Sequence, residues 1–253
     1  MHIEALQLAG RIIMENGGET YRVEETITHM ATAMGMSEIE SFAVPSGVFF
    51  SYLSPDGKHE SVVTRVHRQG TNLCRVNEVN AVSRRLEAGE LDVAGALAEL
   101  KRIDQTKSRL TGWMVVTATG ISCAGWGGLF GGSWLDALIC LVIGSLGQTV
   151  NFLVERSRLG TQFALLLSSF VVTLLPMVFC ALSGMGETDP IIAGALMPFV
   201  PGLAMTNAVR DTMRGDILSG VAHGFTAVLT AVLLALGAIA AAMTAQLVIG
   251  RMM

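Results

Sequence analysis

The chain has 253 residues, a formal net charge of -4, 51% hydrophobic residues and a mean hydropathy of +0.53. That is too apolar for an ordinary cytosolic domain, and no patch is basic enough for a nucleic-acid partner. Charge is uneven: residues 1–109 hold 12 Lys+Arg and 15 Asp+Glu, against 5 and 6 in residues 110–253, so a globular portion gives way to a lipid-compatible one near Arg109–Gly112.

Met1-His2-Ile3-Glu4 lacks the basic and apolar regions of a signal peptide, and none is expected. Ile3–Glu15 reads as a helix stopped by Asn16-Gly17-Gly18. Thr20–Met34 reads as a second, with Val23, Ile27, Met30 and Met34 on one stripe and Gly35 at its end. Ile39–Val44, Val48–Leu53 and Ser61–Val66 read as strands, the last two joined by the turn Ser54-Pro55-Asp56-Gly57. Asn72–Leu86 and Val93–Ile103 read as helices. Residues 1–109 therefore form a small α+β domain, with antiparallel strands packed on helices.

Three sets of reactive residues in this portion have plain structural readings. Ser46, Asp56 and His59 supply the residue types of a hydrolase triad, but there is no GxSxG elbow, and Asp56 and His59 flank a turn. Turn and surface roles explain them, and no enzyme activity is expected. Glu24 and Glu25 have the chemistry to hold a metal or cation, yet a solvated helix face accounts for them better. Cys74, Cys123, Cys140 and Cys180 form no CxxC, and no His stands at metal spacing, so they read as packing residues. No metal and no cofactor are expected.

A helix needs about 20 mainly apolar residues to cross a bilayer. Five stretches suggest crossings, near residues 112–130, 134–154, 160–184, 190–209 and 219–246, the last apolar run extending to Gly250. They predict a membrane all-α bundle of about five helices after the α+β domain. Basic residues alternate between connections. Lys101, Arg102, Lys107 and Arg109 precede the first stretch, Arg156 and Arg158 follow the second, and Arg210 and Arg214 follow the fourth, whereas the third loop carries Glu187 and Asp189. The positive-inside rule then puts the N-terminus in the cytoplasm of a cell-membrane protein and the C-terminus outside, with Arg251 a mild exception. Trp113, Trp126 and Trp134 stand near stretch ends, where indoles favour the interface. Gly127-Gly128-Leu129-Phe130-Gly131-Gly132 holds two overlapping GxxxG spacings, and Gly120, Ala124, Gly144 and Ser145 add small residues; close helix packing and a glycine-rich hairpin both explain the cluster.

Polar residues inside the apolar stretches are functional candidates. The fourth stretch is interrupted by Pro198, Pro201 and Gly202. In a continuous helix, Pro198 and Pro201 would free the carbonyls of Gly194 and Met197, which would then need protein, water or a ligand. Asn207 and Asp211 share a face, and Arg210 and Arg214 a neighbouring one. Gln148, Asn151 and Glu155 make a polar stripe on the second stretch. Interhelical hydrogen bonding is the competing explanation for that stripe. Asp136 sits at a stretch end, where an outer-interface position would make ionisation cheap, and His223 can titrate near neutral pH.

Residues across nearly the whole chain resemble the threonine/serine exporter (ThrE) family, and within it the N-terminal half represented by short YjjP-type members. The likeness rests on Gly17-Gly18-Glu19-Thr20-Tyr21-Arg22-Val23-Glu24-Glu25 and Val44-Pro45-Ser46-Gly47. Its strongest part runs from Val200-Pro201-Gly202 through Thr206-Asn207-Ala208-Val209-Arg210-Asp211 to Gly215-Asp216 and Ser219-Gly220. The resemblance implies ion-gradient-driven export of small hydrophilic metabolites: threonine and serine, or succinate-type C4-dicarboxylates in split forms. The absence of a GxxxxGK[ST] loop agrees with that. Single-chain members have about ten spans, so this shorter pattern implies a second small membrane subunit as partner; self-association is also open. The expected substrate site is Pro198, Pro201, Gly202, Thr206, Asn207 and Asp211, with Gln148 and Asn151. A membrane-anchored hydrolase and a membrane scaffold or sensor are the rival readings.

Overall fold

The computed structural model describes residues 1–67, 70–106, 111–157 and 159–252. Lys107, Arg109 and Arg158 of the charge-asymmetry argument lie outside them, as does the side chain of Arg251. The chain forms two compact units. One comprises Met1–Lys107 and Leu203–Phe225, the other Ser108–Gly202 and Thr226–Met253.

The first unit begins with α1 (His2–Glu15) and α2 (Thr20–Ala33), joined at Asn16-Gly17-Gly18. The connection requires glycine: Gly17 has φ +82°, and a Cβ there would crowd the Gly70 carbonyl. The strands β1 (Glu40–Val44), β2 (Gly47–Leu53) and β3 (His59–Arg65) form an antiparallel meander in the order β1-β2-β3. Gly57 N–H donates to Ser54 at 2.8 Å, closing the turn expected between β2 and β3. Helices α3 (Leu73–Glu87) and α4 (Val93–Gln105) follow, with Asn72 and Asp92 accepting from backbone N–H groups as N-caps. Leu6, Ile12, Ile13, Ile27, Met30, Val48, Phe50, Val79, Leu100 and Ile103 build one core between the helices and one sheet face. The same unit includes α9 (Gly202–Met213) from Leu203 onward and the start of α10 (Ile217–Met252), segments that sequence hydropathy grouped with the crossings or the loop between them.

The second unit holds α5 (Gly112–Leu129), α6 (Trp134–Arg156), α7 (Thr161–Ser183), α8 (Thr188–Leu196) and a short 3-10 turn at Met197–Phe199, with the remainder of α10. Among the described residues, α6, α7 and α10 are long and apolar enough to cross a membrane, and α8 with α9 makes a fourth if that bent pair is one span. The 18-residue α5, rich in glycine, falls short of their apolar character. Leu138, Val142, Phe163, Leu182, Val232 and Met243 point outward. In water such a surface would aggregate; against lipid it is the expected outer face.

Small residues let the helices of this unit close up. A Cβ on Gly127 would stand 2.6 Å from Cys140 Sγ, and one on Gly144 would overlap Cys123. Buried Cys123 and Cys140 are thus packing residues opposite glycines, and Cys180 is buried as well. The glycine cluster serves both expected purposes. Gly127 packs, while Gly131, at φ +90°, and Gly132 close the end of α5 through bonds to the carbonyls of Gly128 and Gly127. Asp136 makes more contacts than its place at a stretch end alone predicts. It is buried, its Oδ2 accepting from Ser133 N–H and Oγ and its Oδ1 from Glu187 N–H at 2.8 Å. It closes a capping box at the start of α6 and pins the loop before α8.

Candidate functional site

The proline break is real, but the Met197 carbonyl is not left as expected. Thr188–Phe199 and Gly202–Met213 are bent by 56° across the interruption. Val200 N–H donates to the Met197 carbonyl at 3.2 Å, and Gly202 N–H to the Val200 carbonyl at 2.8 Å. The oxygen that Pro201 would have orphaned in a continuous helix therefore has a partner, because the chain tightens into a 3-10 turn and then a γ-turn. Phe199 is buried, and a Cβ on Gly147 would meet its ring at 3.4 Å. The break is a packed corner.

Helix α9 follows this corner in the chain. Its buried residues are Asn207 and Asp211, one turn apart, while Leu203, Met205, Val209 and Met213 are exposed. An ordinary amphipathic helix buries its apolar stripe, and α9 does the reverse. Asp211 is 1% exposed. Its Oδ1 accepts from Thr20 Oγ at 3.1 Å, and its Oδ2 lies 2.9 Å from His223 Nδ1. Thr20 is the first residue of α2, so the carboxylate meets the positive end of that helix. An ionised Asp211 accepts from an Nδ1–H, whereas a protonated one can donate to the bare nitrogen. Which of the two donates depends on the imidazole tautomer.

Neighbouring contacts bind α9 to the start of α2. Arg210 pairs with Glu19, which also accepts from Arg22 Nε at 2.7 Å. The Arg214 guanidinium lies 3.5 Å from the centroid of the Tyr21 ring. Ser219 Oγ donates to the Ala43 carbonyl at 3.4 Å. Burial pushes the Glu19 carboxyl up, but the bonds it accepts from Arg22 and a backbone amide, with the charges of Arg22 and Arg210, bring it below the usual range. Both arginines near Asp211 in sequence are thus engaged elsewhere, and His223 is its charged-capable partner.

Glu24 also departs from expectation. It is half-buried rather than solvated, and its Oε1 accepts from Ala43 N–H at 2.8 Å, tying α2 to β1. Burial raises its carboxyl pKa against that hydrogen bond, and the nearby charges of Asp216 and Asp211 raise it further. The folded protein therefore binds this proton more tightly than the unfolded chain. Stability is lost as pH climbs from the ordinary carboxylate range through the raised value. Glu24→Gln keeps an acceptor for Ala43 without this penalty, so its melting temperature relative to wild type should rise between about pH 4 and pH 7. Parallel thermal melts across that range check it; a constant difference contradicts it.

Of the residues the sequence singled out, Asn207 and Asp211 come together on one buried face, while Thr206 is exposed beside them. Pro198, Pro201 and Gly202 shape the corner. Gln148 is half-buried on α6, and Asn151 Oδ1 is buried without a hydrogen-bond partner among the described residues, as are Ser168 Oγ and Thr173 Oγ on α7. Sequence reading missed Thr20 as a partner of Asp211, although it lies in the resemblance motif, and weighed His223 by itself. The hydrolase triad is not assembled. Ser46 precedes β2, while Asp56 and His59 lie beyond its far end, roughly 20 Å of strand away. His59 instead faces Glu38 at 3.8 Å. Among the described residues, no group of three or more His, Cys, Asp or Glu side chains could hold a metal ion.

Several helices long and apolar enough to cross a membrane fit a multi-pass membrane protein. The chain belongs to the threonine/serine exporter (ThrE) family, whose description is "Putative threonine/serine exporter" and which it matches over residues 4–245. It is 28% identical to the "Probable succinate transporter subunit YjjP" of Klebsiella aerogenes over 213 residues, covering 83% of this chain and 81% of that protein. With the Escherichia coli protein of the same description the identity is 26% over 215 residues, 85% of this chain and 83% of the relative. A "Probable threonine/serine exporter" of Mycobacterium tuberculosis is 18% identical over 213 residues, 84% of this chain but 40% of that protein. No solved structure matches the chain.

Proposed function

We propose that the chain is one subunit of a secondary-active exporter of small hydrophilic metabolites, threonine and serine first among them, completed by a second small membrane subunit. The α+β portion of residues 1–109 is cytoplasmic in this reading, five segments cross the membrane, and the C-terminus lies outside. The observation that carries it is the inverted polarity of α9, with Asp211 buried between Thr20 and His223. Asp211 holds either a proton, shared with His223, or the ammonium group of the cargo. A carboxylate cannot hold both, so loading one displaces the other, and that exclusion is the basis of exchange. Asn207 and Thr206 flank it as hydrogen-bonding groups, and the corner at Pro198, Pro201 and Gly202 lets α9 change its angle. Gln148 and Asn151 would contact cargo on its route. The relatives named as subunits support the need for a partner.

A C4-dicarboxylate such as succinate is the second reading, favoured by the names of the two YjjP relatives. Against it, a dianion needs free cations, and Arg210 and Arg214 are occupied by Glu19 and Tyr21. Proteoliposomes containing the chain and its partner, under an imposed pH gradient, should transport labelled L-threonine faster than succinate. Neither subunit alone should do so. Flux of succinate alone would replace the cargo assignment, and hydrolysis without flux would replace the transporter reading.

A further inference from the structure

We infer that the first unit carries a second, separate binding site for a small zwitterion of the α-amino acid class, in a cleft between α2 and α3. The cleft has a volume of about 310 Å³. That lies at the lower end of the range for small-molecule sites. Its buried wall is polar where two packed helices usually meet through apolar groups. Thr26 and Ser83 are each 5% exposed, and Thr26 Oγ donates to Asn80 Oδ1 at 3.3 Å. The core-facing stripes of the same helices, Val23 and Ile27 on α2 and Val76 and Val79 on α3, lie elsewhere, so the hydroxyls are not needed to join the helices.

The rim separates charge in a way that suits a zwitterion. Glu25 and Glu87 contribute carboxylates, with His29 between them at 4.0 and 3.1 Å. Arg84 and Arg22 contribute guanidinium groups. Arg22 is already held by Glu19. Arg84 has no carboxylate partner among the described residues, although Glu87 stands one turn away on the same helix; its Nε reaches only the Asn80 carbonyl, at 3.4 Å. A ligand carboxylate would take Arg84 in a bidentate pair, and its ammonium would take Glu87 or Glu25. A side-chain hydroxyl would reach Thr26 and Ser83. A zwitterion meets one charge of each sign on this rim, whereas the second carboxylate of a dianion would face Glu25 or Glu87, which is why the zwitterion is the assigned class.

This site is independent of the transport reading. Binding should be measured calorimetrically on the full-length Asp211→Asn protein in detergent, so that the transport carboxylate does not contribute, with L-serine and L-threonine as zwitterions and succinate as the dianion. Saturable binding of the amino acids is expected. Arg84→Gln and Glu87→Gln should each weaken it about tenfold, as loss of one charge-assisted contact does. Ser83→Ala should weaken L-serine binding less. Absence of saturable amino-acid binding in the Asp211→Asn background would overturn the inference, as would insensitivity to both charge variants. Tighter succinate binding after Glu87→Gln, with no amino-acid binding, would overturn the ligand class.

Discussion

Asp211→Asn should reduce gradient-driven flux about a hundredfold while leaving the protein folded. A hydrogen bond to a charged group contributes about 1.5–3 kcal/mol, and about 2.7 kcal/mol is a hundredfold, which sets that scale. The substitution is nearly isosteric, and the amide can still accept from Thr20 and meet His223 Nδ1, so packing of α9 survives. What is lost is the ability to hold a proton or to neutralise an ammonium. His223→Gln keeps a hydrogen-bonding group at that place and should slow flux less. Flux assays in proteoliposomes, with melting temperature as the folding control, check both. Undiminished flux in Asp211→Asn would remove Asp211 from the mechanism.

The second large effect falls on stability. Gly194 of α8 lies against α5, and a Cβ there would stand 2.6 Å from Gly127 N, 2.7 Å from Gly127 Cα and 3.0 Å from the Cys123 carbonyl. All three are backbone atoms, so no rotamer change can relieve the overlap. The helices must separate, at a cost of about 3 kcal/mol, the upper end for overpacking. Gly194→Ala should therefore lower the melting temperature in detergent by several degrees. Gly128→Ala, whose Cβ would enter open space, should be close to neutral. Equal behaviour of the two variants would contradict the packing of α8 on α5.

Much of this fold is legible in the residue order. The stripe at Val23, Ile27 and Met30, the stop at Asn16-Gly17-Gly18 and the turn at Ser54–Gly57 placed elements of residues 1–106 to within a few residues, because each is a local signal. The proline corner was visible for the same reason. The partners of Asp211 were not. Thr20 is 191 positions away, and hydropathy assigned the two residues to different portions of the chain. Local reading also misjudged groups whose environment is tertiary. Glu24 looks like a solvated charge until β1 covers it, and Asp136 like a helix-end charge until Glu187 donates to it. The Met197 carbonyl is satisfied because the chain leaves the α-helix at Met197–Phe199, which a rule for continuous helices does not foresee.

The central claim is that Asp211, with His223, exchanges a proton for the cargo. The most direct measurement follows a trapped pH indicator in sealed proteoliposomes holding the two-subunit exporter while an outward L-threonine gradient is applied. The wild-type protein should acidify the lumen as threonine leaves, and the Asp211→Asn protein should leave lumenal pH unchanged. Threonine efflux without proton entry in the wild type, or the same acidification in the variant, would contradict it.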